Sequence, residues 1–156
     1  MGSMVASGTA TAGHDGLPSG NVAFLFTDIE GSTTRWDRDH VAMAEAVRRH
    51  DALMRRAIGE HNGHVFKTIG DAFCAVFWNV GDAVLATLAA QHALAEADFS
   101  AVDGIRVRMA LHVGVSDERD GDYFGPTLNR VARLLAIGHG FQVLLSAAAA
   151  ELLAIA

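Results

Sequence analysis

The chain has 156 residues, 51% hydrophobic and 19% charged, with a formal net charge of −6. That length buries one core and excludes two large domains, and the acidic balance argues against a surface built to hold nucleic acid or an anionic membrane. A single cysteine, Cys74, excludes an intrachain disulfide and fits a reducing compartment, and with neither a basic-then-apolar leader nor an apolar run near the ~20 residues that span a bilayer, a cytoplasmic protein is expected.

Met1–Gly20 is mostly Gly, Ser, Ala and Thr, too poor in large apolar groups to repay the entropy of ordering, and reads as a disordered tail. Its opening Met1-Gly2-Ser3-Met4 reads as an expression scar ahead of a native start at Met4. Val22–Asp28 is a compact apolar run suited to a strand buried on both faces. Gly31-Ser32-Thr33-Thr34 is a turn rich in helix-capping residues. Trp36, His40, Met43, Val47, His50, Met54 and Ile58 then recur at steps of three and four, which predicts one long helix ended by Asn62-Gly63. His64–Thr68 and Ala72–Phe77, around Ile69-Gly70-Asp71, predict a hairpin. Asp82 is expected to cap a second helix reaching Asp98, with Val84, Leu85, Leu88, Leu94 and Ala97 inward. Ile105–Val115 alternates, with Ile105, Val107, Met109, Leu111, Val113 and Val115 on one face and Arg106, Arg108, Ala110 and His112 on the other, the period of a strand. Beyond a charged tip, Asp117–Asp122, the pattern predicts a helix over Pro126–Ala136 closed by Gly138. A short strand at Phe141–Ser146 and a helix over Ser146–Ala156 complete it.

The element order is β-α-β-β-α-β, the split βαβ of ferredoxin-like (palm-type) α+β folds, with an added helix, short strand and C-terminal helix. In that topology the first strand lies antiparallel beside the third. Asp28, at the end of the first, therefore meets Asp71, at the start of the third. Each alone reads as an ordinary turn residue. Together they repel unless a cation sits between them, and hard carboxylate oxygens suit Mg²⁺ or Mn²⁺. The backbone N–H groups of the Gly31-Ser32-Thr33 turn are placed to face a triphosphate. Asn129 and Arg133 are four apart and share one helix face. His61 and His64 have no further ligand set and read as a helix-end pair, and Cys74 reads as core.

Three segments carry a resemblance. Phe26-Thr27-Asp28-Ile29-Glu30-Gly31-Ser32-Thr33, Lys67-Thr68-Ile69-Gly70-Asp71 and Asp122-Tyr123-Phe124-Gly125-Pro126-Thr127-Leu128-Asn129-Arg130-Val131-Ala132-Arg133 resemble, in order, the motifs of class III nucleotidyl cyclase catalytic domains such as bacterial adenylate cyclases. The resemblance covers residues 21–156. It implies a homodimer with sites shared between protomers. Asp28 and Asp71, with Ile29, would hold two divalent cations, Mg²⁺ or Mn²⁺, and Ile29, Gly31, Ser32 and Thr33 would line the substrate. Lys67 and Asp122 would read the purine, while Asn129 and Arg133 would orient the ribose and stabilise the transition state. A lysine donor and an aspartate acceptor match the edge of adenine and mismatch that of guanine, so the expected substrate is ATP and the products 3′,5′-cyclic AMP and pyrophosphate. Guanylate cyclase activity, or a weak or silent module that only dimerises, stays open as an alternative. Ile69-Gly70-Asp71-Ala72-Phe73 does not match the Gly-Gly-acid-acid-Phe turn of diguanylate cyclases. The resemblance also implies a strand pair beyond the last helix, which this sequence lacks.

Overall fold

The computed structural model describes residues 16–154; the scar and most of the expected tail lie outside the described residues. Order sets in earlier than expected, with Pro18 buried and β1 spanning Gly20–Ile29. The chain continues through α1 (Ser32–Arg38), α2 (His40–Glu60), β2 (His64–Ile69), β3 (Ala72–Phe77) and α3 (Val80–Glu96) to a 3-10 turn at Ser100–Val102. Then follow β4 (Val107–Ser116), β5 (Glu118–Arg119), β6 (Asp122–Tyr123), α4 (Pro126–Ala136), β7 (Val143–Leu145) and α5 (Ala147–Ala154). The main sheet runs β2-β3-β1-β4-β7. Its pairs are antiparallel except for β4 with β7. β1 thus lies between β3 and β4, the palm-type α+β arrangement expected.

One face of the sheet packs under α2 and α3. Ala23, Leu25, Phe73, Ala75, Phe77, Met109 and Leu111 meet Met43, Met54 and Ile58 from α2 and Ala83, Ala86 and Ala90 from α3 in one buried cluster. Each large apolar side chain there contributes roughly 1.5–3 kcal/mol of burial. The other face is covered only in part. Val22, Phe24, Val76 and Ala110 pack against Val131 and Leu135 of α4 and against Tyr123. Gly114 lets the start of α4 come close: a Cβ there would lie 2.8 Å from the Thr127 side chain.

Several local expectations are corrected. The long helix is two, because Asp39 is extended (φ −153°) and its carboxylate accepts from Ala42 N–H, so a strong cap interrupts an unbroken apolar stripe. Asn79, not Asp82, caps α3, accepting from Asp82 N–H at 2.8 Å; Asp82 instead sits in the first turn, favourable to the helix dipole. The inward face of α3 is Val80, Ala83, Ala86, Thr87, Ala90 and Leu94. Leu85 and Leu88 are 52% and 60% exposed, since close packing selects the alanine side of the helix rather than the bulky one. Ile105 is buried ahead of β4, and Val115 is 71% exposed at the end of the sheet, opposite Asn21. The charged tip is itself a tight hairpin, β5–β6, turning at Asp120-Gly121 with both residues at positive φ.

Candidate active site

The two aspartates meet at one end of the sheet. Thr27 pairs with Phe73, which brings Asp28 beside the β2–β3 turn. There Asp71 Oδ1 accepts from Ile29 N–H at 3.2 Å. Asp71 is thereby tethered to the backbone next to Asp28, and Gly70 adopts the left-handed φ (+59°) that the turn requires.

Asp28 has a partner that the sequence did not single out. Register pairs it with Arg108 across β1 and β4. The guanidinium grips both carboxylate oxygens, Nε to Oδ1 at 2.7 Å and Nη2 to Oδ2 at 2.5 Å. The hydrogen bond to Asp28 raises the Arg108 pKa further, so this cation is permanent. Alternation put Arg108 on the proper face. The available signal was an opposite charge on a neighbouring strand, but which residue it faces depends on register.

The loop after Asp28 is held from below. Gly31 caps α1 at φ +66° with no side-chain cap, leaving the N–H groups of the first turn unclaimed by a capping side chain. Arg35, only 9% exposed, donates to the carbonyls of Glu30, Gly31, Val102, Asp103 and Gly104. A Cβ on Gly31 would sit 3.1 Å from Arg35 Nη1. Asp28, Ile29, Ser32, Trp36, Val47, Ile69, Gly70, Asp71 and Ala72 line an open cleft of about 640 Å³, a size that takes a nucleotide-sized ligand. Gly31 and Thr33, expected to line the substrate, are exposed and are not among those lining groups.

Lys67 and Asp122 form the second pair, Nζ to Oδ2 at 3.0 Å. A bulge in β2 makes this possible. Val65 pairs with Ala75 but Lys67 pairs with Cys74, so the irregularity at Phe66 moves Lys67 onto the face that also carries Phe26 and Asp28. Asp122 Oδ1 accepts from Tyr123 N–H at 2.7 Å. Burial alone would push this carboxyl up, but the Lys67 and Tyr123 donors together hold it below the usual carboxylate range. Cys74, beneath the pair, is pushed up to about 11 chiefly by burial; its thiol stays protonated.

Asn129 and Arg133 lie on α4 and are exposed. Among the described residues their side chains make no hydrogen bond or ion pair, and the structure does not bring them to Asp28 and Asp71. The six residues therefore form two tethered pairs and one outward-facing pair.

The donor chemistry at Asp28 and Asp71 fits a hard divalent cation. Asp71 Oδ2 has no protein partner among the described residues, and a cation at Asp28 would share that carboxylate with the Arg108 guanidinium. No cluster of three or more His, Cys, Asp or Glu forms among the described residues, so coordination beyond the two carboxylates falls to backbone, water and substrate oxygens, as Mg²⁺ accepts.

A sequence model described as the adenylate and guanylate cyclase catalytic domain matches residues 16–155. The chain belongs to that family. It is 38% identical over 135 residues to an uncharacterised protein of Mycobacterium tuberculosis, covering 86% of this chain and 46% of that one. It is 32% identical over 155 residues to adenylate cyclase of Schizosaccharomyces pombe, covering 83% of this chain and 9% of the yeast protein. The chain thus spans less than half the length of these relatives. Among solved structures it resembles a Trypanosoma brucei adenylate cyclase in its monomeric state (TM-score 0.81, 29% identity, 86% of this chain and 76% of that one). It also resembles an adenylate/guanylate cyclase/hydrolase from Silicibacter pomeroyi (TM-score 0.72, 27% identity, 84% and 78%). A fungal guanylyl cyclase domain from Blastocladiella emersonii shares the fold at TM-score 0.80 and 17% identity, covering 88% of this chain and 85% of that one. No helix among the described residues of this cyclase-family domain is long and apolar enough to cross a membrane.

Proposed function

We propose that this domain is an adenylate cyclase that works as a homodimer in the cytoplasm, converting ATP to 3′,5′-cyclic AMP and pyrophosphate. The observation that carries the choice of ATP is the Lys67–Asp122 pair at 3.0 Å. Its ammonium can donate to the adenine ring nitrogen while the carboxylate accepts from the exocyclic amine. Guanine presents the reverse pattern and leaves both groups mispaired, a discrimination often worth orders of magnitude. With Asp122 held ionised by Lys67 and by Tyr123 N–H, the acceptor is in place before the base arrives.

Asp28, Asp71 and the Ile29 backbone would hold Mg²⁺ or Mn²⁺, which when bound supplies acidification of the ribose 3′-hydroxyl and charge neutralisation at the departing pyrophosphate. Ser32 and Thr33 N–H groups offer donors to the polyphosphate, while the Arg108 fork stays engaged with Asp28. The 3′-oxygen attacks the α-phosphorus, that O–P bond forms as the bond to the β-phosphate oxygen breaks, and the hydroxyl proton leaves to solvent. Arg133 stabilises charge on the α-phosphate oxygens and Asn129 orients the ribose. Their outward position on α4 supports a site completed between protomers, with the aspartates of one chain facing Asn129 and Arg133 of a second copy.

Two assays test this. Incubation with ATP or GTP and Mn²⁺ or Mg²⁺ is expected to yield cyclic AMP in preference to cyclic GMP; a preference for GTP, or no product with either metal at high protein concentration, overturns the assignment. Mixing inactive Asp28→Ala and Arg133→Ala chains is expected to recover activity, because one of the two shared sites is intact. Mixed dimers that remain inactive would remove the shared site.

A further inference from the structure

A base is read only if its two partners keep a fixed spacing, since hydrogen bonds weaken steeply with poor distance and angle. Lys67 and Asp122 hang from slight supports. Lys67 follows a bulge on the edge strand β2, and Asp122 belongs to the two-residue β6. What lies beneath them is more substantial. The rings of Phe66 and Tyr123 meet edge-on at 4.7 Å between centroids, and Phe24 meets Tyr123 at 5.3 Å and Phe66 at 5.9 Å. Phe24 is fully buried on the central strand β1. Phe66 immediately precedes Lys67, and Tyr123 immediately follows Asp122. Each member of the reading pair is thus one peptide away from a ring of the same cluster.

Tyr123 has a second anchor. It is 2% exposed, and its hydroxyl donates to the Pro18 carbonyl at 2.5 Å in a buried hydrogen bond. Burial, reinforced by Glu118, pushes the phenol up to about 12, so it remains a donor across the working range. Its backbone N–H holds Asp122 Oδ1. A shift of the backbone at Pro18 is therefore transmitted through one rigid aromatic side chain to the base-reading carboxylate.

We propose that Phe66 and Tyr123 are positioning residues for purine selectivity: the Phe24–Phe66–Tyr123 cluster sets the Lys67–Asp122 spacing, and the Tyr123 hydroxyl ties it to the segment ahead of β1. This rests on Lys67 and Asp122 being the purine readers. Neither aromatic side chain is required to touch the nucleotide. Their effect is on which base is preferred, not on the chemical step.

The test compares Tyr123→Phe, which keeps the ring and removes the hydroxyl, with Phe66→Leu, which removes a ring at the bulge. Both are made in the full chain. Two quantities are read: the ratio of kcat/KM for ATP over GTP, and the affinities for 3′-deoxy-ATP and 3′-deoxy-GTP, which cannot cyclise. Loss of one buried hydrogen bond predicts that Tyr123→Phe lowers the ATP preference about three- to ten-fold, expressed in KM and analogue affinity with kcat for ATP little changed. Phe66→Leu is expected to lower it further. A merely structural role would reduce stability or act equally on both nucleotides; an unchanged ratio in both variants, with cooperative melting retained, overturns the proposal. Lys67→Ala and Asp122→Ala separate the two levels. If they flatten the preference while the aromatic variants do not, positioning fails and purine reading stands. If they leave it untouched, purine reading itself fails and the proposal falls with it.

Discussion

The two faces of the main sheet use the same strands for different ends. On the helix-covered face, Leu25, Phe73, Phe77, Met109 and Leu111 are sealed under α2 and α3. The buried polar side chains on that side include Thr27 and His50, whose Oγ1 and Nε2 lack partners among the described residues. On the opposite face, apolar packing under α4 stops short of the end of β1. There Asp28, Arg108, Lys67 and Asp122 stand partly exposed in ion pairs. Because side chains alternate along a strand, one backbone serves both, with Ile29 at the strand end belonging to the core and to the cleft alike. Stability and chemistry are thus written on opposite sides of a single sheet, and substitutions should separate them.

The largest effect tests the covered face. Phe77→Ala is expected to cost about 3–5 kcal/mol, from lost burial and the cavity left behind. Urea denaturation reads that loss, and activity per folded molecule should stay near wild type. A folded but inactive Phe77→Ala would break the division. Arg35→Ala tests a buried charged side chain that holds the loop after Asp28 from below. It strands carbonyls at Glu30 and Val102–Gly104, so a loss of about 2–4 kcal/mol is expected. Weaker Mn²⁺ binding should accompany it, measured by titration calorimetry on folded protein. Asp28→Asn tests the open face, with an expected fall in kcat of about 100-fold or more. Stability should move by about 1–2 kcal/mol at most, since asparagine still accepts from Arg108, whose side chain is 25% exposed. A large drop in stability would mean that the Asp28–Arg108 pair belongs to the scaffold.

What was legible in the sequence follows the same division. Period-two alternation in β4 and the element order were enough to bring Asp28 and Asp71 together, because a split βαβ core dictates which strands are neighbours. Register is not dictated that way. Asp28 and Arg108 are 80 residues apart, and no local pattern says that they face each other. The bulge at Phe66 is equally silent, yet it alone puts Lys67 on the working face. α3 misled for a different reason: Leu85 and Leu88 drew attention away from the alanines that let it pack closely, while Leu94 is buried as expected. Asp120-Gly121 was a readable turn signal, but its flanking strands are two residues each, too short to show alternation. The four-residue spacing of Asn129 and Arg133 was readable, and both stand exposed on α4 as one outward face.

The smallest expected effect concerns a residue that crosses the division. His112 lies on the open face, opposite Phe24, yet is buried. Its Nδ1 is 2.7 Å from Ser146 Oγ, which also accepts from Ala149 N–H at the start of α5. An oxygen so engaged has its proton free to donate to Nδ1, the pairing a neutral imidazole takes. Burial first, and then the charge of Arg130, lowers the His112 pKa below the ordinary histidine value. The unfolded chain therefore takes up a proton near pH ~6.5 while the folded chain does not. Stability contributed by the neutral imidazole is complete above that value and declines as pH falls toward the folded pKa. His112→Gln, which keeps a hydrogen-bonding group but cannot titrate, should show a shallower loss of melting temperature between neutral and mildly acid pH than wild type, by a degree or two at most. Parallel curves would mean that the imidazole protonates as readily in the fold as out of it, and that this part of the open face is as accessible to solvent as the ion pairs beside it.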